Sequence, residues 1–171
     1  MSIHLPAPIT EVDWVRGPED AAATIVHYGD FQCPDSAAAF RVLQSLAHHA
    51  PGKFRLIFRH LPLTDIHRHA LDAAKATEAA GAAGHFWEMH DQLFESSPNL
   101  TVGDLTACAE KIGLQREDFL ECMASPDTYD RIREDLDAIR AIGLGSTPTL
   151  FINGKLYTGP VEIDALQAAF A

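Results

Sequence analysis

The apolar positions of the chain change period several times, and each change marks an element. After an irregular, proline-containing start, residues 21–28 (AAATIVHY) form a short apolar run closed by Gly29 and Asp30, which predicts a buried strand ending in a turn. Pro34 opens a helical stretch over 34–50, with Phe40, Leu43 and Leu46 at helical spacing. A proline costs no hydrogen bond at the first helical position. Pro51 and Gly52 stop that helix, and in 53–60 (KFRLIFRH) Phe54, Leu56 and Phe58 alternate with Lys53, Arg55 and Arg59, a strand pattern. An alanine-rich helix over 66–83 breaks at Gly84, and 85–95 resumes with Phe86, Met89, Leu93 and Phe94 apolar. Residues 101–112 follow, with Thr101 and Asp104 placed as a capping-box variant and Gly113 as the stop. Helices over 116–123 and 128–142 complete the helical block. The pattern then returns to strands: 149–152 (TLFI), an Asn153-Gly154 hairpin turn, and 155–158, before a closing helix over 161–170. The order predicts one α/β domain over 1–171, with a helical insertion at about 64–143.

Composition narrows the classes of function. The chain has 171 residues, 47% of them hydrophobic and 22% charged, as in an ordinary globular protein. No apolar run approaches the ~18–20 residues of a membrane span. Residues 1–15 lack an apolar stretch after a basic start, so they are no intact secretory signal, and a cytoplasmic location is expected. Thirteen basic against 24 acidic residues give a net charge of −11, which argues against a nucleic-acid partner. Three cysteines cannot all pair within one chain, and a disulfide-stapled scaffold is not expected at this size.

Cys33 is the sulfur best placed for chemistry. It follows a strand and directly precedes Pro34, at the start of a helix, where unpaired backbone N–H groups and the positive end of the helix dipole favour a thiolate. Tyr28-Gly29-Asp30-Phe31-Gln32-Cys33-Pro34 resembles the active-site segment of DsbA-like thiol–disulfide oxidoreductases of the thioredoxin superfamily, in which C-P-x-C follows a Y-x-D-F-x stretch. Three more segments resemble that family in order: Arg59-His60-Leu61-Pro62-Leu63 with His69-Ala70, the run from Gly84 to Asp91, and Gly145-Ser146-Thr147-Pro148 with the strand and hairpin after it. The resemblance implies a thioredoxin-like fold with an inserted helical subdomain. It also implies a cis Thr147-Pro148 bond facing Cys33, and substrate held by Pro34, Thr147 and Pro148.

The departure from the family is Ser36, which stands where the second cysteine belongs. A hydroxyl cannot resolve a mixed disulfide; at most it donates a hydrogen bond to the Cys33 thiolate. A monothiol cycle follows, in which Cys33 forms a mixed disulfide that glutathione or another thiol resolves. Asp30 and Asp35, close in sequence to the sulfur, work against the thiolate and should temper its reactivity. Protein or peptide thiols and disulfides, and glutathione as co-substrate, are the expected partners, with no resident cofactor. A glutathione transferase or isomerase of the DsbA-like branch, a redox-inactive peptide-binding or chaperone module, and a glutathione-linked iron–sulfur carrier are the competing readings. Cys108 and Cys122, 14 positions apart in the helical block, read as small buried apolar residues, with pairing between folded-back helices as the alternative. Nine histidines are present, but His67 and His69 are only two apart and no three-ligand spacing appears, so no metal site is expected.

Overall fold

The computed structural model describes residues 2–170. Its five-stranded sheet runs in the order β1-β3-β2-β4-β5, with β1 at Trp14–Arg16, β2 at Ala23–Gly29, β3 at Phe54–His60, β4 at Thr149–Ile152 and β5 at Lys155–Tyr157. Only β2 and β3 are parallel, joined by a crossover through α1 (Pro34–His49); the other pairings are antiparallel. Five helices lie in sequence between β3 and β4: α2 (Ala70–Ala82), α3 (Phe86–Ser96), α4 (Val102–Lys111), α5 (Arg116–Ala124) and α6 (Pro126–Ala141). A short α7 (Ile163–Ala168) closes the chain.

Alternation along the central strand sorts the core. Ile25 of β2 faces Leu43 and Leu46 of α1 and Leu166 of α7, together with Leu56 and Leu150 of the neighbouring strands. Val26 and Tyr28 face the other way, onto Ile132, Leu136 and Ile139 of α6. With helices on both faces, β2 and β3 are buried along nearly their whole length. The inserted helices build their own cluster from Phe86, Met89, Leu93, Phe94, Leu105, Phe119 and Met123, which reaches the sheet through Phe31 and Phe58.

Several local expectations hold. Thr101 and Asp104 form a reciprocal capping box at the start of α4. Asn153 and Gly154 take φ of 49° and 77°, the left-handed pair a two-residue hairpin needs. Others shift. The alanine-rich helix begins at Ala70, not 66: Ile66 and His67 donate their N–H groups to Leu63 O in a turn, so His67 and His69 lie ahead of the helix. The irregular start contains β1, a three-residue edge strand paired antiparallel to β3.

Arg59, on the charged side of the strand pattern, is 3% exposed. It donates from Nε and Nη2 to the two oxygens of Asp13, from Nη1 to Ala7 O and the Tyr28 hydroxyl, and from Nη2 to Pro8 O, all at 2.8–3.0 Å. Burial pushes the Asp13 carboxyl up, but the bonds from Arg59 and Thr10 outweigh it and hold the group below the usual carboxylate range. This pair straps the N-terminal arm across the sheet. Asp13→Ala leaves a buried guanidinium without its counter-ion and should cost about 3–5 kcal/mol in urea unfolding, with Asp13→Ala/Arg59→Met recovering part of the loss. A single substitution costing under about 1 kcal/mol would contradict this role.

Candidate functional site

Cys33 is the N-cap residue of α1, with extended φ and ψ of −77° and 123° and Pro34 as the first helical residue. Its backbone N–H donates to Asp30 O at 3.1 Å and its carbonyl accepts from Ala37 N at 3.0 Å, so the residue is fixed between strand and helix. The side chain is 6% exposed, and its Sγ lies 3.6 Å from Thr147 O. Residues 114 apart in sequence are thereby brought into contact, and the carbonyl takes the thiol as a weak donor. The Thr147-Pro148 peptide bond is cis. Thr149 Oγ1 donates to Ser146 O at 2.7 Å and closes the turn before β4. Pro34 is exposed, while Thr147 and Pro148 are half-buried. The loop thus meets the start of α1 at an accessible seam beside a mostly covered sulfur.

Ser36 does not take the role expected of it. It is fully buried, and its Oγ accepts from Asp30 N–H at 3.3 Å; no bond joins it to the Cys33 sulfur. The serine closes the backbone turn beneath the thiol. The two carboxylates differ from each other in their surroundings. Asp35 is exposed, where solvent screens it. Asp30 is 1% exposed, and its carboxylate is committed elsewhere: Oδ1 accepts from Gln32 N at 2.8 Å, and Oδ2 from Leu63 N at 2.9 Å and His67 Nδ1 at 2.7 Å. Its two oxygens are thus met by three donors, two from the loop after β3 and one from the turn into α1.

Sequence reasoning missed Gln32. Its Oε1 accepts from His69 N at 2.8 Å and its Nε2 donates to Pro98 O at 3.4 Å, which ties the turn before Cys33 to both ends of the α2–α3 hairpin. An Asp two residues before Gln32 is the sequence signature of an Asx turn, and that was the available signal. The partners, 37 and 66 residues away, had none.

Cys108 and Cys122 are both free. Cys108 is buried with its Sγ 3.8 Å from Ser96 Oγ, and lines a groove with Gln92 and Lys111. Cys122 is half-buried in a different groove, with Ala79, Ala83 and Phe119. Among the described residues no cluster of three or more His, Cys, Asp or Glu side chains is arranged to hold a metal ion. No helix among them is long and apolar enough to cross a membrane.

Comparison with known proteins agrees with this geometry. The family model described as thioredoxin matches residues 10–170. A thioredoxin-like oxidoreductase from Silicibacter pomeroyi superposes with a TM-score of 0.83 at 26% identity, covering 94% of this chain and 91% of that one. The alpha-DsbA1 of Wolbachia pipientis superposes at 0.80 and 21% identity, over 95% and 90% of the two chains. The chain is also 42% identical over 168 residues to an Na(+)/H(+) antiporter NhaA of Salinispora arenicola, covering 98% of this chain but only 26% of the antiporter. The matches run through the sheet, the inserted helices and the loop opposite Cys33 alike: the chain belongs to the thioredoxin family, and its fold is that of the DsbA-like thiol–disulfide oxidoreductases.

Proposed function

We propose that the chain is a monothiol thiol–disulfide exchange enzyme acting through Cys33 on protein or peptide disulfides, with glutathione as co-substrate. The observation that carries this reading is a lone thiol at the N-cap of α1, 3.6 Å from Thr147 O, with a serine at the position of the second sulfur. The Cys33 thiolate attacks one sulfur of a substrate disulfide. One S–S bond forms as the other breaks, and the departing thiolate takes a proton from solvent. Pro34, Thr147 and Pro148 flank an extended substrate segment. A glutathione thiolate then attacks the mixed disulfide at the substrate sulfur and restores Cys33; no electrons are gained or lost overall. The cycle suits a glutathione-rich reducing compartment, which favours the cytoplasm.

The sequence relatives favour one addition. Because nearly the whole chain is shared with a quarter of an Na(+)/H(+) antiporter, we infer that this module works beside such a transporter and couples it to thiol redox state. In inverted vesicles bearing the full-length Salinispora arenicola antiporter, Na(+)-driven proton release should differ between glutathione-reduced and glutathione-oxidised buffers. Indifference to both would remove the link.

Substitutions at the cysteines and at Ser36 test the exchange reading. Cys33→Ala should reduce release of glutathione from a glutathionylated peptide to the uncatalysed rate, whereas Cys108→Ala and Cys122→Ala should leave it unchanged; activity persisting in Cys33→Ala overturns the assignment. Ser36→Cys should give a variant whose new thiol forms a disulfide with Cys33 and which oxidises a reduced dithiol peptide with turnover. A new thiol that never pairs with Cys33 would count against position 36 as the resolving site.

A further inference from the structure

Two imidazoles are buried where the inserted helices meet the sheet. His27 of β2 and His90 of α3 are each 1% exposed, and the Nε2 of each has no hydrogen-bond partner among the described residues. Their surroundings are aromatic. Phe58 of β3 and Phe94 of α3 stand against both rings, at 5.4 and 6.2 Å from His27 and at 4.7 and 5.0 Å from His90. Phe31, Phe40, Phe86 and Trp87 complete the shell around His90 at 4.9–6.0 Å. A neutral ring can be packed this way. An imidazolium, with a charge and two N–H donors to satisfy, cannot.

The charged and titratable groups facing the pair give a proton little to pair with. Asp91 on α3 accepts from His90 Nδ1 at 2.8 Å, but its other oxygen is 2.8 Å from Arg16 of β1, whose guanidinium lies over the Trp87 ring. That carboxylate is therefore already balanced by a full positive charge. His60 of β3 is joined to Glu78 of α2 at 2.8 Å. From α1, the exposed His48 stands at the mouth of the cleft that both rings border, and it brings no negative charge. His27 itself has no ion pair or side-chain hydrogen bond among the described residues. A proton on His27 would go unmatched, and one on His90 would meet Arg16 as well as Asp91.

Burial, with the nearby His90, pushes His27 down to about 3, and burial pushes His90 down to about 4 against the pull of Asp91. An imidazole released to water takes its proton at about pH 6.5. Above that pH both rings are neutral in either state and the packing is undisturbed. As pH falls toward 4 the open form binds protons that the closed form cannot, and the closed form loses ground.

The same rings hold α3 near the thiol. Phe31, two residues before Cys33, packs on His90 at 5.6 Å and on Phe94 at 4.7 Å. Gln32 donates to Pro98 O, just beyond the end of α3. Parting α3 from the sheet frees one side of the turn into α1.

We propose that His27 and His90 form an acid-operated latch: protonation of both rings parts α3 from the sheet and loosens the turn ahead of Cys33. The latch is a property of the packing and does not depend on the exchange reading.

Amide hydrogen exchange over residues 86–96 of the native protein, corrected for the intrinsic effect of pH, reads the latch at pH 7 and pH 5. One imidazole that gains its proton only in the open form raises the opening equilibrium about twentyfold over that interval, so two raise it about four hundredfold. His27→Phe and His90→Phe should each leave a rise of about twentyfold. The rise should be larger over α3 than over α6, which packs on the opposite face of β2. A native rise below about threefold, a rise unchanged in both variants, or one shared equally with α6 would each overturn the proposal. If neither variant folds, the imidazole ¹⁵N signals of the native protein decide. Both rings should remain neutral at pH 5, and titration of either at about pH 6.5 in the folded protein would overturn the latch.

Discussion

Asp30 ends the central strand inside the protein, and its carboxylate can stay there only because three donors reach it. A buried carboxylate without such partners costs several kcal/mol. The donors come from two separate segments, the turn into α1 and the loop after β3. Satisfying one charge therefore locks the two together. The Asp30 N–H meanwhile goes to Ser36 Oγ and its carbonyl to Cys33 N–H, so backbone and side chain of one residue define the turn that carries the sulfur. With Gln32 joined to His69 and Pro98, the thiol is held against the inserted helices as well as the sheet.

What could be read from sequence follows the range of the interactions involved. Elements set by local rules were legible: the helix opened by Pro34, the Thr101–Asp104 capping box and the Asn153-Gly154 turn each depend on residues within three or four positions. The placement of Cys33 at a helix start was legible for the same reason. Elements set by distant partners were not. The edge strand at Trp14–Arg16 has no period of its own and exists because β3 pairs with it. Arg59 reads as a solvent-facing strand residue until Asp13, 46 positions earlier, is folded onto it. Ser36 and Asp30 flank Cys33 in sequence, but their hydrogen bonds run to the backbone of the turn, to Leu63 and to His67, and those partners are not legible there.

The same sheet carries two regions of different chemistry. At the C-terminal end of β2, the Asp30 carboxylate is fully engaged and a sulfur is left beside an accessible seam. Toward its middle, His27 and His90 border an apolar cleft, each residue 1% exposed and its Nε2 without a hydrogen-bond partner among the described residues. Helix α1 spans both, its first turn shaping the thiol and its later turns walling the cleft.

Cys33 is the one cysteine whose surroundings suit it for exchange, since Cys108 and Cys122 sit in other grooves without a helix start or a facing carbonyl loop. The direct measurement is peptide mapping by mass spectrometry after brief exposure of the native protein to oxidised glutathione. A single glutathione adduct is expected on the peptide containing Cys33, removed on addition of reduced glutathione. An unmodified Cys33 alongside a modified Cys108 or Cys122 would contradict it.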